Sequence, residues 1–173
     1  MGNSQIQLLK KTLGIGARSN KYRVTINGNG KNFAVGEMGD ILCKNTTLPG
    51  RSFADIEVWN QGRLTVVAGD AQYDGTWSCT FLDDEYHKLR TMFINWMEFI
   101  DSVVNHSREA VDHSSYMNDA ILEQLSTVDN NTTAKYILFD VYPKSLSDST
   151  YSDDSQDLIE FTVEFNFSSW TKE

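Results

Sequence analysis

Short runs of alternating apolar and polar residues recur along most of this chain. Tyr22, Val24 and Ile26 alternate with Arg23, Thr25 and Asn27, the period of a half-buried strand. Asn27-Gly28-Asn29-Gly30 supplies residues that accept positive φ, so the pattern predicts a tight hairpin returning through Phe33 and Val35. Gly36 and Gly39 suggest a bulge or break. Ile41-Leu42-Cys43 then resumes a strand that Leu48-Pro49-Gly50 ends, because proline removes a ladder donor. Two further runs, Ile56-Glu57-Val58-Trp59 and Leu64-Thr65-Val66-Val67, are joined by Asn60-Gln61-Gly62-Arg63 and predict a long, partly exposed hairpin across residues 48–70. Trp77 to Leu82 reads as another strand.

The spacing then changes once. Tyr86, Leu89, Phe93, Trp96, Met97, Ile100 and Val104 recur every three or four residues, giving one apolar helical stripe of the kind that packs on a sheet. Asp83 or Asp84 offers its N-cap, and the helix is expected over 84–105. Residues 105–132 are polar, with a second short helix near Ser115 to Leu125. Lys135 to Tyr142 predicts a strand stopped by Pro143, and Ser145 to Gln156 an acidic loop. The last strand runs from Leu158 to Trp170. There Ile159, Phe161, Val163, Phe165 and Phe167 share one face, and Glu160, Thr162, Glu164 and Asn166 share the other. Residues 1–19, with Lys10, Lys11 and Arg18 around Gly14-Ile15-Gly16, form a basic arm more flexible than core-forming, ahead of one domain over 20–173. The expected class is mainly β with one principal helix.

Composition narrows the function. The 173 residues suit a single domain, and 24 acidic against 15 basic residues leave a formal charge of −9, which repels phosphate backbones and anionic membranes. No stretch near the N-terminus has the apolar length of a signal peptide, and none elsewhere reaches the ~20 apolar residues of a membrane span, so assembly in a cytoplasm is expected. Asn-X-Ser/Thr triplets at Asn45, Asn105, Asn130, Asn131 and Asn166 then carry no glycan. Gly2 is followed by Ile6 where a myristoylation signal needs Ser or Thr. Cys43 and Cys79 lie in apolar, strand-like stretches where small buried thiols are common. A disulfide between them is the other reading.

Candidate chemistry is sparse. His87, His106 and His113, with Glu109 and Asp112 nearby, lack the i, i+4 spacing of a zinc hydrolase. Gly14-Ile15-Gly16 lacks the third glycine of a dinucleotide loop, and Gly28-Asn29-Gly30-Lys31 lacks the Gly-x4-Gly-Lys frame. Ser114-Ser115 has no nucleophile-elbow context. No cofactor, metal or catalytic constellation is therefore expected, and the chain reads as no enzyme.

Taken in order, Cys43-Lys44-x-Thr46-x-Leu48-Pro49, Val67-Ala68-Gly69-Asp70, Trp77-x-x-Thr80, Asp84-Glu85-x-His87 and Phe93-x-x-Trp96 resemble the tail tube proteins of contractile-tailed bacteriophages. The resemblance resumes at Val141-Tyr142-Pro143 and over Phe161 to Trp170. It implies a sandwich of two packed antiparallel sheets, a half-barrel that joins its neighbours into a ring-shaped β-barrel. It further implies hexameric rings stacked into a virion tube for DNA ejection. The partners implied are further copies, tail sheath, baseplate tube initiator, tail terminator and tape measure protein, with DNA passing unbound. Within that frame the 48–70 hairpin becomes an arm to the next ring, with Arg51, Ile56, Val58, Trp59 and Arg63 as candidate contacts. Glu160, Thr162, Glu164 and Asn166 are candidates to line the bore. A single-ring initiator or terminator of the same fold is the nearest alternative. A carbohydrate-binding sandwich presenting Trp59, Trp77 and Trp170 is the alternative from another class.

Overall fold

Residues 2–14, 16–27, 33, 35–73, 75–101, 112–149, 151–152 and 157–173 are described by a computed structural model. Its elements are α1 (Gly2–Leu13), β1 (Tyr22–Asn27), α2 (Gly36–Leu42), β2 (Cys43–Thr46), β3 (Ser52–Asn60), β4 (Arg63–Gln72) and β5 (Thr76–Leu82). They continue with α3 (Lys88–Ile100), α4 (His113–Tyr116), β6 (Asn118–Leu125), β7 (Thr132–Leu146), β8 (Glu160–Asn166) and β9 (Ser169–Lys172).

The core grows from the central pair β5–β8. Alternation puts Trp77, Cys79 and Phe81 directly opposite Phe165, Val163 and Phe161, and all six are buried. Cross-strand aromatic and β-branched pairs of this kind are the unit of sheet stabilisation. Helix α3 lays Leu89, Phe93 and Trp96 on the same cluster. The Phe93 ring centroid lies 5.4 Å from Phe81 and 5.7 Å from Phe165. Both buried indoles are satisfied, as they must be when removed from water: Trp77 Nε1 donates to Thr46 Oγ1 at 2.9 Å and Trp96 Nε1 to the Tyr116 carbonyl at 2.8 Å.

The architecture is one seven-stranded antiparallel sheet, in the order β1-β6-β7-β8-β5-β2 with β9 also on β7, plus the separate two-stranded β3–β4 ribbon. The mainly β class is as expected; the two halves of the sheet are continuous through β7 rather than separate, and the described residues form no closed barrel. Continuity comes from β7, whose first part pairs with β6 and β9 while its second part pairs with β8. Asp140, two residues before the β8-paired part begins at Tyr142, has φ +58°.

Pro143 does not stop this strand. Among the described residues only β8 pairs with β7 beyond Val141, so on the other edge a missing N–H removes no ladder bond.

Four other segments depart from the sequence pattern. Residues 36–42 are helix α2 rather than a break followed by a strand, and β1 pairs with β6 instead of a hairpin partner. The turn at 28–30 lies outside the described residues. Phe33 instead stacks on Trp96 at 5.6 Å. Residues 118–125 are a strand, not a helix, because Ala120 and Leu122 enter the core while the backbone pairs on both edges, with β1 and β7. The principal helix spans Lys88–Ile100 within the expected 84–105, and residues 102–111 lie outside the described residues. The N-cap is His87, in a left-handed conformation, rather than Asp83 or Asp84, although Asp84 Oδ1 accepts from Lys88 N at 2.8 Å. Finally, the arm at 1–19 contains helix α1, so α3 is not the only long helix.

Candidate functional site

The β3–β4 ribbon departs furthest from ordinary soluble surface. The turn residues Gln61 and Gly62 both have positive φ, the requirement of a two-residue hairpin whose twist matches its strands. The register runs Ile56↔Val67, Glu57↔Val66, Val58↔Thr65, Trp59↔Leu64 and Asn60↔Arg63. Directly opposed residues share a face. One face thus carries Ile56, Val58 and Val67, and the other Trp59, Leu64 and Val66.

All six are 44–67% exposed, with Trp59 highest. A ribbon apolar on both faces and covered on neither is a contiguous interaction surface, not scattered exposure.

Its base is built for close approach. A register shift falls between Phe53 and Asp55, and the Gly69 backbone faces it. A Cβ at Gly69 would sit 2.9 Å from the Ala54 carbonyl oxygen and 3.0 Å from Ile56 Cγ1. Among the segments that carry the family resemblance, Val67-Ala68-Gly69-Asp70 thus contains a glycine that sterics require. Arg51 sits beside this base, its guanidinium 5.3 Å from the Phe53 ring and 5.6 Å from the Tyr73 ring. The five residues singled out for this contact therefore divide. Ile56, Val58 and Trp59 are apolar ribbon, Arg63 is at the tip, and Arg51 stacks at the root.

The second surface is the outer face of β8 and its neighbours. Glu160, Thr162, Glu164 and Asn166 point away from the core and stand opposite Leu82, Thr80, Ser78 and Thr76. Glu160 pairs with Lys44. Thr162 and Thr80 share a hydrogen bond of 3.0 Å, Ser145 Oγ donates to Glu164 Oε2 at 2.9 Å, and Asn166 Nδ2 donates to the Tyr142 hydroxyl at 3.0 Å. The result is a hydroxyl-rich plate with two carboxylates. Lys44 and Tyr142 stand in segments that carry the family resemblance but, like Ser145, were not assigned to this surface from sequence, since the register of β2 and β7 is what brings them here.

Beneath the plate the two thiols are free. The Cys79 side chain, by hydrogen bonding, is the main influence holding the Cys43 thiol below its ordinary pKa, while burial pushes Cys79 well above it. Trp77 is fully buried with its N–H bonded, so it cannot serve as a sugar platform. No cluster of three His, Cys, Asp or Glu side chains able to hold a metal occurs among the described residues. His113 bonds Tyr116 and His87 bonds Asp83, while His106 and Glu109 lie outside the described residues.

A family model described as phage tail tube protein matches residues 17–173. The chain belongs to the phage tail tube protein family. It is a tail tube protein, a structural component of the virion tail. Among similar curated proteins is the tail tube protein gp19 of Enterobacteria phage T4, 27% identical over 155 residues, which cover 89% of this chain and 90% of that one. Two solved structures share the fold. A chain of the anti-feeding prophage baseplate aligns with a TM-score of 0.67 at 12% identity over 91% of this chain and 95% of its own. A chain of the sheath–tube complex of the extracellular contractile injection system PVC aligns with 0.65 at 13% identity over 100% and 98%.

Proposed function

We propose that this tail tube protein works by polymerising: rings, hexameric as the family resemblance implies, stack through the β3–β4 ribbon into the inner tube of a contractile tail. The observation that carries the reading is the two-faced apolar ribbon. Covering one face on its own domain would leave the other wet, whereas insertion between subunits of an adjacent ring covers both. Identical head-to-tail contacts between rings do not close on themselves, so they propagate. Open sheet edges, a hazard in isolation, would be consumed by pairing around a ring.

The β8 plate is the surface we assign to the bore. Duplex DNA carries one charge per ~1.7 Å, and a basic lining would bind it by counterion release. Hydroxyls and carboxylates let it slide. The lining is less acidic than the bare sequence suggests, because Lys44 offsets Glu160, leaving Glu164 as the main repulsive charge. Tail sheath, baseplate tube initiator, tail terminator and tape measure protein are the further partners on this reading. Its action is mechanical, with no catalytic step.

Replacing residues 54–68 with a two-residue turn tests the ribbon. Folded protein that no longer polymerises is the expected result, and tubes of normal length would refute it. A single-ring role has support in the likeness to a baseplate chain. Solitary rings of the native chain under negative stain would favour that role over a tube.

A further inference from the structure

Two free thiols meet at the edge of the sheet, and the proposed assembly makes no use of them. In the β2–β5 register Cys43 stands opposite Phe81 and Thr46 opposite Cys79, with a register shift between Cys43 and Asn45. Residues in such a ladder share a face with their partners and with those two places on, so Cys43 and Cys79 are diagonal neighbours on the inner face. Their side chains hydrogen-bond to each other. Cys79 Sγ also lies 3.2 Å from Thr46 Oγ1.

The two sulfurs differ in access. Cys79 is fully buried, whereas Cys43 is half-buried and borders a polar cleft of about 520 Å³ whose walls include Ser19, Tyr22 and Thr46. A small solute can therefore reach Cys43 and finds Cys79 directly behind it. The hydrogen bond from Cys79 also holds the Cys43 thiol below its ordinary pKa, which makes it the more readily ionised of the two. An accessible attacking thiol in contact with a resolving thiol is what site-selective oxidation needs. The strand that carries Cys43 is four residues long and lies at the end of the sheet order, paired with β5, so it can make the small shift from contact to an S–S bond of ~2.05 Å.

We propose that Cys43 and Cys79 form a reversible disulfide when the folded chain meets a peroxide, fastening β2 to β5. The Cys43 thiolate attacks one oxygen of hydrogen peroxide, the O–O bond breaks, and the departing hydroxide takes up the proton released by the thiol and leaves as water. Cys79 sulfur then attacks the Cys43 sulfenic acid. The S–O bond breaks as the S–S bond forms, and the Cys79 proton leaves with the hydroxyl group as a second water. Two thiols lose two electrons and one peroxide gains them. The closed loop, residues 44–78, contains the whole β3–β4 ribbon, so the bond fixes both roots of that arm to the domain. In a reducing cytoplasm the pair stays open. The inference stands on the fold and is independent of the stacking reading.

The test exposes the native full-length chain to hydrogen peroxide without denaturant and reads its intact mass without reductant. A monomer lighter by two hydrogens is expected, with a peptide joining positions 43 and 79 and full reversal by dithiothreitol. Its Tm should exceed that of the reduced chain by roughly 5–15 °C, the size of effect a loop-closing disulfide gives in a domain of this length. Cys79→Ala should stop at a Cys43 sulfenic acid that dimedone captures, and Cys43→Ser should leave Cys79 unoxidised. Circular dichroism confirms folding, and Cys79→Ser replaces Cys79→Ala if the latter misfolds.

Oxidation of Cys43 to the sulfinic acid while Cys79 still titrates as a free thiol on unfolding would overturn the proposal. So would a link between two chains, a bond that appears only in denaturant, or two unreacted thiols after a dose that oxidises free cysteine. None of these results bears on whether the chain forms tubes, so failure here and failure of the proposed function are read separately.

Discussion

Trp59→Ala should leave the fold unchanged and cripple polymerisation. The indole is 67% exposed in the single chain. An aromatic side chain of this class brings ~150–250 Å² to a contact, so covering the exposed two-thirds removes roughly 100–170 Å² from water. At ~25 cal/mol per Å² this is about 2.5–4 kcal/mol per subunit. Since ~1.4 kcal/mol is tenfold in affinity, the critical concentration for assembly should rise by about two to three orders of magnitude. Light scattering against protein concentration reads that threshold directly, and thermal unfolding serves as the control, because Trp59 lies outside the buried core. If Trp59→Ala assembled at the native threshold with native melting behaviour, the ribbon would not be the stacking contact.

Four other outcomes follow from the same geometry. Gly69→Val should disrupt the ribbon base, where even a Cβ meets the Ala54 carbonyl at 2.9 Å, lowering tube yield by electron microscopy while the core melts as before. Phe165→Ala, in the centre of the buried cluster, should destabilise the domain by about 3–5 kcal/mol in denaturant titration. On Asp84, desolvation acts upward, but the amides of Lys88, Leu89 and Tyr86 outweigh it and hold the carboxyl below the usual range. Its stabilising effect is therefore full above the unfolded pKa of ~3.9 and lost as pH falls through the lower folded value, so Asp84→Ala should narrow the Tm difference between neutral and acidic pH. A thiol reagent near neutral pH should modify Cys43 in the native chain and reach Cys79 only after unfolding.

Legibility from sequence tracked how many sides of an element face the core. β1, β5 and β8 each bury one face, so period two was visible in Val24 and Ile26, in Trp77, Cys79 and Phe81, and in Phe161, Val163 and Phe165. The 52–72 hairpin was visible for a similar reason, its Gln61-Gly62 turn residues fixing the register. β6 was not. Ala120, Ile121, Leu122 and Leu125 satisfy a helical spacing as well as a strand, and Ala, Leu, Glu and Gln favour helix; pairing on both edges overrides that preference. α2 was hidden because Gly36 and Gly39 read as breaks, and the path of β7 through Pro143 was hidden because an open edge is a property of neighbours. The same limit applies to the assembly surfaces. Ile56, Val58 and Trp59 were visible as an exposed alternating run, whereas the Lys44–Glu160 pair exists only once distant segments meet.

The most direct test is a cryo-electron microscopy reconstruction of assemblies formed by the purified native chain. Stacked hollow rings are predicted, with β3–β4 of each subunit buried against the next ring and Glu160 and Glu164 facing the bore. Solitary rings or monomers, or a tube whose ribbons lie exposed on its outer wall, would contradict the account.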